Sequence, residues 1–196
     1  MNTRRRAGVL VLLAALASGP AAQDAGAATA WTVDPAHSQL TFHPRLAGGE
    51  FAGRFERFAA TIRFDPTDLG HSSLRVVVDL LSARTGDADR DTALQGNDFF
   101  QTTRWPQGTF TSTGIKSLGS DRYEATGKLT LRDVSRDVLV EFRFQSPAPY
   151  GGAAHMLGSS NVRRLEFGVG QGDWRSTEWL DDAVRVEFDL LLRGAR

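Results

Sequence analysis

The sequence predicts an all-β protein whose antiparallel sheet folds as a sandwich or a barrel. Short stretches alternate apolar and polar residues, which is the pattern of a strand with one dry face and one wet face. Turn-forming residues separate these stretches, about eight in all, and no long amphipathic helical pattern appears. The pattern leaves sandwich and barrel open, but a barrel is preferred because closure removes the exposed edges of a sheet.

In the first half of the chain, strands are predicted over residues 38–42, 60–64 and 74–80. The last of these has the strongest β propensity, because it is rich in valine and leucine. The inner face of that strand would carry Leu74, Val76, Val78 and Leu80.

In the second half, strands are predicted over residues 109–112, 127–131, 138–144, 156–167 and 182–190. The fourth of these contains a pair of adjacent arginines. The glycine-rich residues that follow it are expected to form a turn-rich loop rather than a phosphate-binding loop, because the G-x-G-x-x-G spacing is missing.

A short helical connection is predicted around residues 87–103, between the two groups of strands. Thr85 or Asp87 can cap its first turn, and Asn97 can cap a second. Pro106 would end the helical part, since proline lacks the backbone N–H that a helix needs.

The first thirty residues have the pattern of a secretory signal peptide. Arginines at positions 4–6 precede an apolar run over residues 7–17, and small residues follow. We therefore expect a signal peptide over 1–30, cleaved near 27–30, and a mature domain over 31–196. The apolar run is too short to span a bilayer, which takes roughly 20 residues.

Composition argues against several classes of function. The formal net charge is +0 and charges of both signs are interspersed, so no nucleic-acid partner is predicted. The chain has no cysteine, and its histidines show neither H-x-H nor H-E-x-x-H spacing, so no metal site is predicted. No G-x-S-x-G motif occurs and the carboxylate clusters are typical of turns, so no catalytic residue is assigned.

Ordered motifs along the chain provide a second line of inference. They read TVDPAHS near the start, then GRF, IRFDP, TGDADRD, NDFF, FTS and GKLTL, and RLEFGVG late in the chain. Their order and spacing resemble those of the YceI-like family of bacterial periplasmic proteins over most of residues 31–196. The resemblance implies a periplasmic, antiparallel, eight-stranded lipocalin-like β-barrel that holds a polyisoprenoid or a similar long-chain lipid.

The predicted ligand site is the apolar inner face of this barrel. Phenylalanine outnumbers tyrosine by twelve to two, which suits a hydrocarbon guest. Arg90, Asp91 and Arg164 are expected to be either structural, with an Arg–Asp pair that pins the connection to the barrel, or functional, with Arg164 or Arg90 contacting a polar or anionic head group. The predicted ligand-binding residues are Leu40, Phe42, Phe55, Phe58, Ile62, Phe64, Val76, Val78, Phe99, Phe100, Phe110, Leu129, Leu131, Val140, Phe142, Arg164, Phe167, Val186 and Phe188.

Two other functions stay open at this stage. One is a lipocalin-like isomerase or hydrolase for an apolar substrate, which requires a polar dyad in the cavity with perturbed pKa values. The other is a stress or interaction module with a filled core. Trp174 and Trp179 would either rim the barrel mouth or anchor the surface to the core.

For the carrier, the expected ligand is an isoprenoid quinone or a polyprenyl chain, and no cofactor is predicted. Two further partners are expected: an inner-membrane partner that binds transiently, and a second copy of the chain in a homodimer.

Overall fold

The pairing of the first strand with the last closes the sheet into a barrel. The computed structural model describes residues 28–146 and 152–194, so most of the predicted signal peptide lies outside the described residues. Within the described ranges, no helix is both long enough and apolar enough to cross a membrane. The elements of the first half are β1 (Ala30–Val33), β2 (Gln39–His43), β3 (Arg45–Leu46), β4 (Gly49–Glu50), β5 (Gly53–Phe55), β6 (Phe58–Arg63), β7 (Ser73–Asp79), β8 (Ala83–Arg84) and α1 (Ala88–Gln95).

The second half consists of long strands, of which the first three are joined by tight turns. Short 3₁₀ helices occur at Pro35–His37, Leu69–His71, Leu80–Ser82, Arg164–Phe167 and Gly172–Arg175. The strands are β9 (Gln107–Gly119), β10 (Arg122–Leu131), β11 (Val134–Gln145), β12 (Ala154–Arg163) and β13 (Ala183–Gly194).

Eight strands form the closed antiparallel barrel, in the order β1-β6-β7-β9-β10-β11-β12-β13 and back to β1. Trp31 of β1 lies opposite Gly194 of β13 and Ile62 of β6, so this short strand completes the ring. The expected eight-stranded, lipocalin-like barrel with one short helical connection is therefore confirmed. Closure leaves no open edge around the ring.

The two ends of the barrel are built differently. At one end β1 lies between β13 and β6. Toward the other end β2 takes the place of β1 beside β13, β5 pairs with β2, and β8 pairs with β5. This second end also carries α1 and the segment after it, and we call it the α1 end.

Helix α1 begins as its sequence predicts, with Asp87 as the N-cap. The Asp87 side chain accepts a hydrogen bond from the Arg90 N–H at 3.0 Å. The predicted pairing of Arg90 with Asp91 is wrong, because the Arg90 guanidinium lies 3.5 Å from Asp87 instead. Asp91 Oδ1 accepts two bonds from Thr85, from its N–H and its hydroxyl, both at 2.7 Å. Arg90 Nε–H also donates to the Thr85 hydroxyl at 3.4 Å, so Asp91 and Arg90 both tie the helix to the residue after β8.

The segment after α1 is joined to the loop that follows β12. The carbonyl oxygen of Asp98 accepts the N–H groups of Gly170 and Gln171, at 2.7 and 2.8 Å. From the β10–β11 turn, the Arg132 guanidinium covers the Trp105 ring at 4.8 Å and donates to the Gly168 carbonyl. These contacts hold the covering of the α1 end in place.

One predicted strand is shorter than the sequence indicated. The alternation suggested a strand over 156–167, but β12 ends at Arg163 and a 3₁₀ helix follows. Asp182 causes the break, because its carbonyl accepts the Arg164 N–H and its carboxylate accepts the Leu165 N–H, both at 2.9 Å. Gly168 then reverses the chain in the left-handed region, with φ of 66°.

Gly158 in β12 has no room for a side chain between its two neighbouring strands. It lies opposite Phe142 on one side and Phe188 on the other. A Cβ at this position would come within 2.5 Å of the Phe188 ring and 2.7 Å of the Phe142 Cβ.

We predict that Gly158→Ala lowers the free energy of unfolding by about 2 kcal/mol, because overpacking a filled site forces neighbouring atoms to move. Gly114→Ala in β9 is the matched control, since a Cβ there meets no atom within 4 Å. Urea unfolding followed by circular dichroism checks both variants. Equal midpoints for the two would contradict this packing argument.

Candidate functional site

A cavity of about 290 Å³ lies inside the barrel. This volume is at the small end of the range of ligand pockets, roughly 300–1,000 Å³. The inward-facing side chains of the barrel strands form most of its wall, and residues of the α1 end complete it. Nearly all of them are apolar, so the interior offers a guest hydrocarbon contact rather than hydrogen bonds.

The burial of inward-facing side chains shows that the middle of the barrel is hollow. On β13, Leu190 and Leu192 are buried, whereas Val184, Val186 and Phe188 are only partly buried. All five alternate onto the same inner face, and the partly buried ones line the cavity. A filled core would have buried the whole row.

Five aromatic side chains close the end of the barrel away from α1, and we call them the floor. They are Trp31, Phe64, Tyr123, Phe142 and Phe144. The Phe64 ring lies 4.9 Å from Tyr123, 5.4 Å from Phe142 and 4.7 Å from Phe144, and Trp31 donates its ring N–H to the Phe64 carbonyl at 2.9 Å. Burial, together with nearby Asp121, raises the pKa of the Tyr123 hydroxyl above its ordinary value. The floor is a packed aromatic cluster, so a guest cannot leave through it without displacing rings.

At the α1 end, phenylalanines from the segment after α1 cover the cavity. Phe99 and Phe100 are both 8% exposed and both line the wall. The Phe100 ring packs 6.2 Å from Phe55, and Phe55 packs 5.0 Å from Phe42. The helical connection therefore contributes directly to the cavity and does more than join two strands.

The cavity reaches the surface at the α1 end. Ala93 and Trp174 line the wall and are also exposed to solvent. Nearby, the Arg90 guanidinium lies 4.8 Å from the centre of the Phe51 ring, so α1 contacts the segment after β4. We call the wall residues of this region the mouth: Leu46, Phe51, Arg90, Ala93, Trp174 and Leu180.

Arg164 is a buried cation beside the mouth. It is 4% exposed and makes four hydrogen bonds, all to backbone carbonyls. Nε–H donates to Asp181 at 2.9 Å, Nη1 donates to Val169 and Gly170 at 3.1 Å each, and Nη2 donates to Leu180 at 2.7 Å. The guanidinium thus fixes the two stretches of loop that border the mouth.

Arg164 stays protonated in its buried position. Burial lowers the pKa of its guanidinium, and the carboxylates of Asp182 and Asp181 oppose that change. Arginine starts from so high a pKa that it stays protonated near neutral pH. Because four donor positions are used by the backbone, the observed contacts are those of a structural residue on the cavity wall.

The structure places most of the predicted ligand-binding residues on the cavity wall. Three lie elsewhere: Phe64 and Phe142 belong to the floor, and Phe167 lies in the 3₁₀ helix after β12, buried in the apolar cluster at the α1 end. The predicted residues on the wall are Leu40, Phe42, Phe55, Phe58, Ile62, Val76, Val78, Phe99, Phe100, Phe110, Leu129, Leu131, Val140, Arg164, Val186 and Phe188.

The wall also contains residues that the sequence did not assign to the site. Val184 and Leu190 continue the alternation of β13, so the strand pattern was sufficient to find them. Other unassigned wall residues lie in loops, in β3 and in α1, and they show no strand alternation because tertiary contacts bring them to the cavity. They include Leu46, Phe51, Leu94, Val169 and Leu180.

The wall has little capacity for acid–base chemistry. Within residues 28–146 and 152–194, its titratable side chains are Arg90 and Arg164, which stay cationic and can only donate hydrogen bonds. Over the same ranges, no group of three or more His, Cys, Asp or Glu side chains could hold a metal ion.

The closed antiparallel ring and its apolar cavity define a lipocalin-like barrel protein. The YceI-like domain matches residues 31–192. The chain belongs to the YceI-like family, as its ordered motifs indicated.

Relatives match along most of the chain. A UPF0312 protein of Azotobacter vinelandii is 31% identical over 183 residues, which cover 89% of this chain and 95% of the relative. Protein YceI of Shigella flexneri is 38% identical over 138 residues, covering 69% of this chain and 72% of that protein.

Solved structures share the barrel. Burkholderia cenocepacia BcnA superposes with a TM-score of 0.77 at 30% identity, covering 81% of this chain and 98% of BcnA. A polyisoprenoid binding domain from Saccharophagus degradans gives a TM-score of 0.65, covering 85% of this chain and 99% of that domain. At 15% identity, the second likeness shows the shared fold alone.

We predict that Arg164→Met lowers the free energy of unfolding by about 3 kcal/mol, because the buried carbonyls that it binds lose their donors. Arg163→Met is the matched control. Arg163 is exposed and pairs with Asp182 and Glu166, and surface ion pairs of this kind contribute about 0–1 kcal/mol. Urea denaturation of both variants measures the difference, and similar losses in the two would contradict the structural role of Arg164.

Proposed function

We propose that this protein is a periplasmic carrier that holds a polyisoprenoid or another long-chain lipid, of the quinone or polyprenyl type, inside its barrel. The apolar cavity carries this proposal: it is hollow, closed by the floor and open at the mouth. A hydrocarbon chain gains from leaving water without any polar partner, so such a wall is sufficient to bind it.

The magnitude of the hydrophobic effect supports a lipid guest. Each buried methylene contributes about 0.8 kcal/mol, so about ten buried carbons would gain about 8 kcal/mol before the entropic cost of binding is subtracted. The Saccharophagus degradans domain of the same fold is described as binding polyisoprenoid, which agrees with this chemistry. The signal-peptide pattern of residues 1–30 supports export to the periplasm.

Binding is favoured over catalysis by the side chains of the wall. An isomerase or hydrolase needs a group that accepts or donates a proton near the substrate. Among the described residues, the wall offers permanently charged arginines and hydroxyls at Thr85, Thr109 and Ser160. Transfer to an inner-membrane partner belongs to the same proposal, and a homodimer stays a prediction that the molar mass in solution would check.

The experiment is lipid extraction from the exported protein. The full chain is expressed with its own N-terminal segment, purified from the periplasm without detergent, extracted with organic solvent and analysed by mass spectrometry. The proposal expects about one long-chain lipid per protein molecule. Recovery of no stoichiometric lipid, from the native host as well as from a recombinant host, would overturn it.

We predict that Phe110→Asp lowers lipid occupancy at least about tenfold, because it places an unpaired carboxylate against hydrocarbon. Phe110 lines the wall from β9. Thr111→Asp is the control, since the next residue along the strand is exposed on the outer face. Native mass spectrometry of both variants gives the bound fraction.

Should Phe110→Asp fail to fold, Ala60→Phe tests the same site without adding charge. Ala60 lines the cavity and is partly buried, so a phenyl ring there would occupy the guest's space. Folded variants at both positions that keep full lipid occupancy would show that the barrel interior is not the site.

A further inference from the structure

We propose that the tryptophan-bearing rim of the mouth docks on the surface of a lipid bilayer, so that the guest passes between membrane and cavity without crossing water. This inference rests on the proposed carrier function and adds a partner surface to it. The rim is the loop over residues 170–180, which contains Trp174 and Trp179.

Trp179 is placed at the mouth but faces away from the cavity. It is 60% exposed, the largest exposed fraction among the large apolar side chains of the described residues. Its carbonyl accepts the Ala47 N–H at 2.7 Å, which ties it to the β3–β4 hairpin. The next residue, Leu180, is 6% exposed and lines the cavity. One residue therefore separates the interior wall from an exposed indole.

Trp174 connects the interior with the surface. Its ring packs 5.7 Å from Phe99 and lines the cavity, while 37% of the side chain is exposed. Trp174 therefore links the apolar cavity with the outer surface. Tryptophan has an apolar body and a polar N–H, and for that reason it concentrates where membranes meet water.

The rim is held firmly enough to present these indoles. Arg164 binds the carbonyls of Val169, Gly170, Leu180 and Asp181, on both sides of the loop. Asp98 adds two backbone bonds at the start of the loop. Docking would then cost little ordering entropy, because the loop is already ordered.

The charges of the rim create no preference for an anionic lipid surface. Arg45 lies 4.0 Å from Asp181, and Asp173, Arg175 and Glu178 add charges of both signs. These two basic and three acidic side chains give no electrostatic attraction to an anionic surface, so indole insertion has to supply the binding. A bilayer is the partner with the matching chemistry, since it is also the place where a long hydrocarbon guest is stored.

The test measures binding of the exported full chain to vesicles of phosphatidylcholine, alone and with phosphatidylglycerol added. Cosedimentation gives the bound fraction, and quenching of tryptophan fluorescence by brominated lipid shows whether indoles enter the bilayer. We expect similar binding to both compositions, and we expect Trp179→Ala to weaken it roughly tenfold. Leu139→Ala is the control, because Leu139 is 55% exposed on β11 and does not line the cavity.

Uptake of free farnesol from dilute solution separates this proposal from the carrier function. Trp179→Ala should take up farnesol as the unaltered protein does, because Trp179 does not line the cavity. Normal farnesol uptake with no vesicle binding by the unaltered protein would overturn the docking proposal and leave the carrier standing. Equal vesicle binding by Trp179→Ala, or a fall in molar mass from dimer to monomer in that variant, would also overturn it.

Discussion

Closure of the sheet is the constraint on which the rest of the structure depends. Once β1 pairs with both β6 and β13, the number of strands fixes the width of the ring, and every second side chain must point into it. Large aromatic rings meet across this width at the floor. Midway along the strands the inward valines, leucines and phenylalanines leave a space between them, and this space is the cavity. The same ring thus has a packed end and a hollow middle.

The strand pattern predicted which side chains face inward but not how far along the barrel axis they lie. Phe64 and Phe142 alternate correctly with their wall neighbours, yet both belong to the floor, because depth depends on register between strands rather than on period. The break after Arg163 was also invisible to alternation. It depends on Asp182, which is distant in sequence and becomes adjacent only when β12 and β13 pair.

The mouth could be predicted least, because its residues come from loops, from the short strand β3 and from α1 rather than from the alternating barrel strands. Leu46, Phe51 and Leu180 show no periodicity and reach the cavity through contacts between the β3–β4 hairpin, α1 and the loop after β12. Recognition of the family did not depend on tertiary contacts. Its motifs follow one another in a fixed order along the strands and in the helical connection, so their order in the sequence was sufficient to identify it. Secondary structure and family therefore followed from local sequence, while the shape of the opening followed from tertiary contact.

The hydrogen-bond acceptors of Arg164 determine which residues around the mouth can vary. Its partners are peptide carbonyls, which every amino acid possesses, rather than carboxylates that a substitution could delete. Gly170 has to remain glycine, because its φ is 79° and a Cβ there would clash with the Arg164 guanidinium. The exposed side chains of residues 173–179 can be exchanged while the anchoring bonds persist. A protein engineer could therefore vary the selectivity of the entrance through these exposed loop side chains, without changing the strands of the barrel.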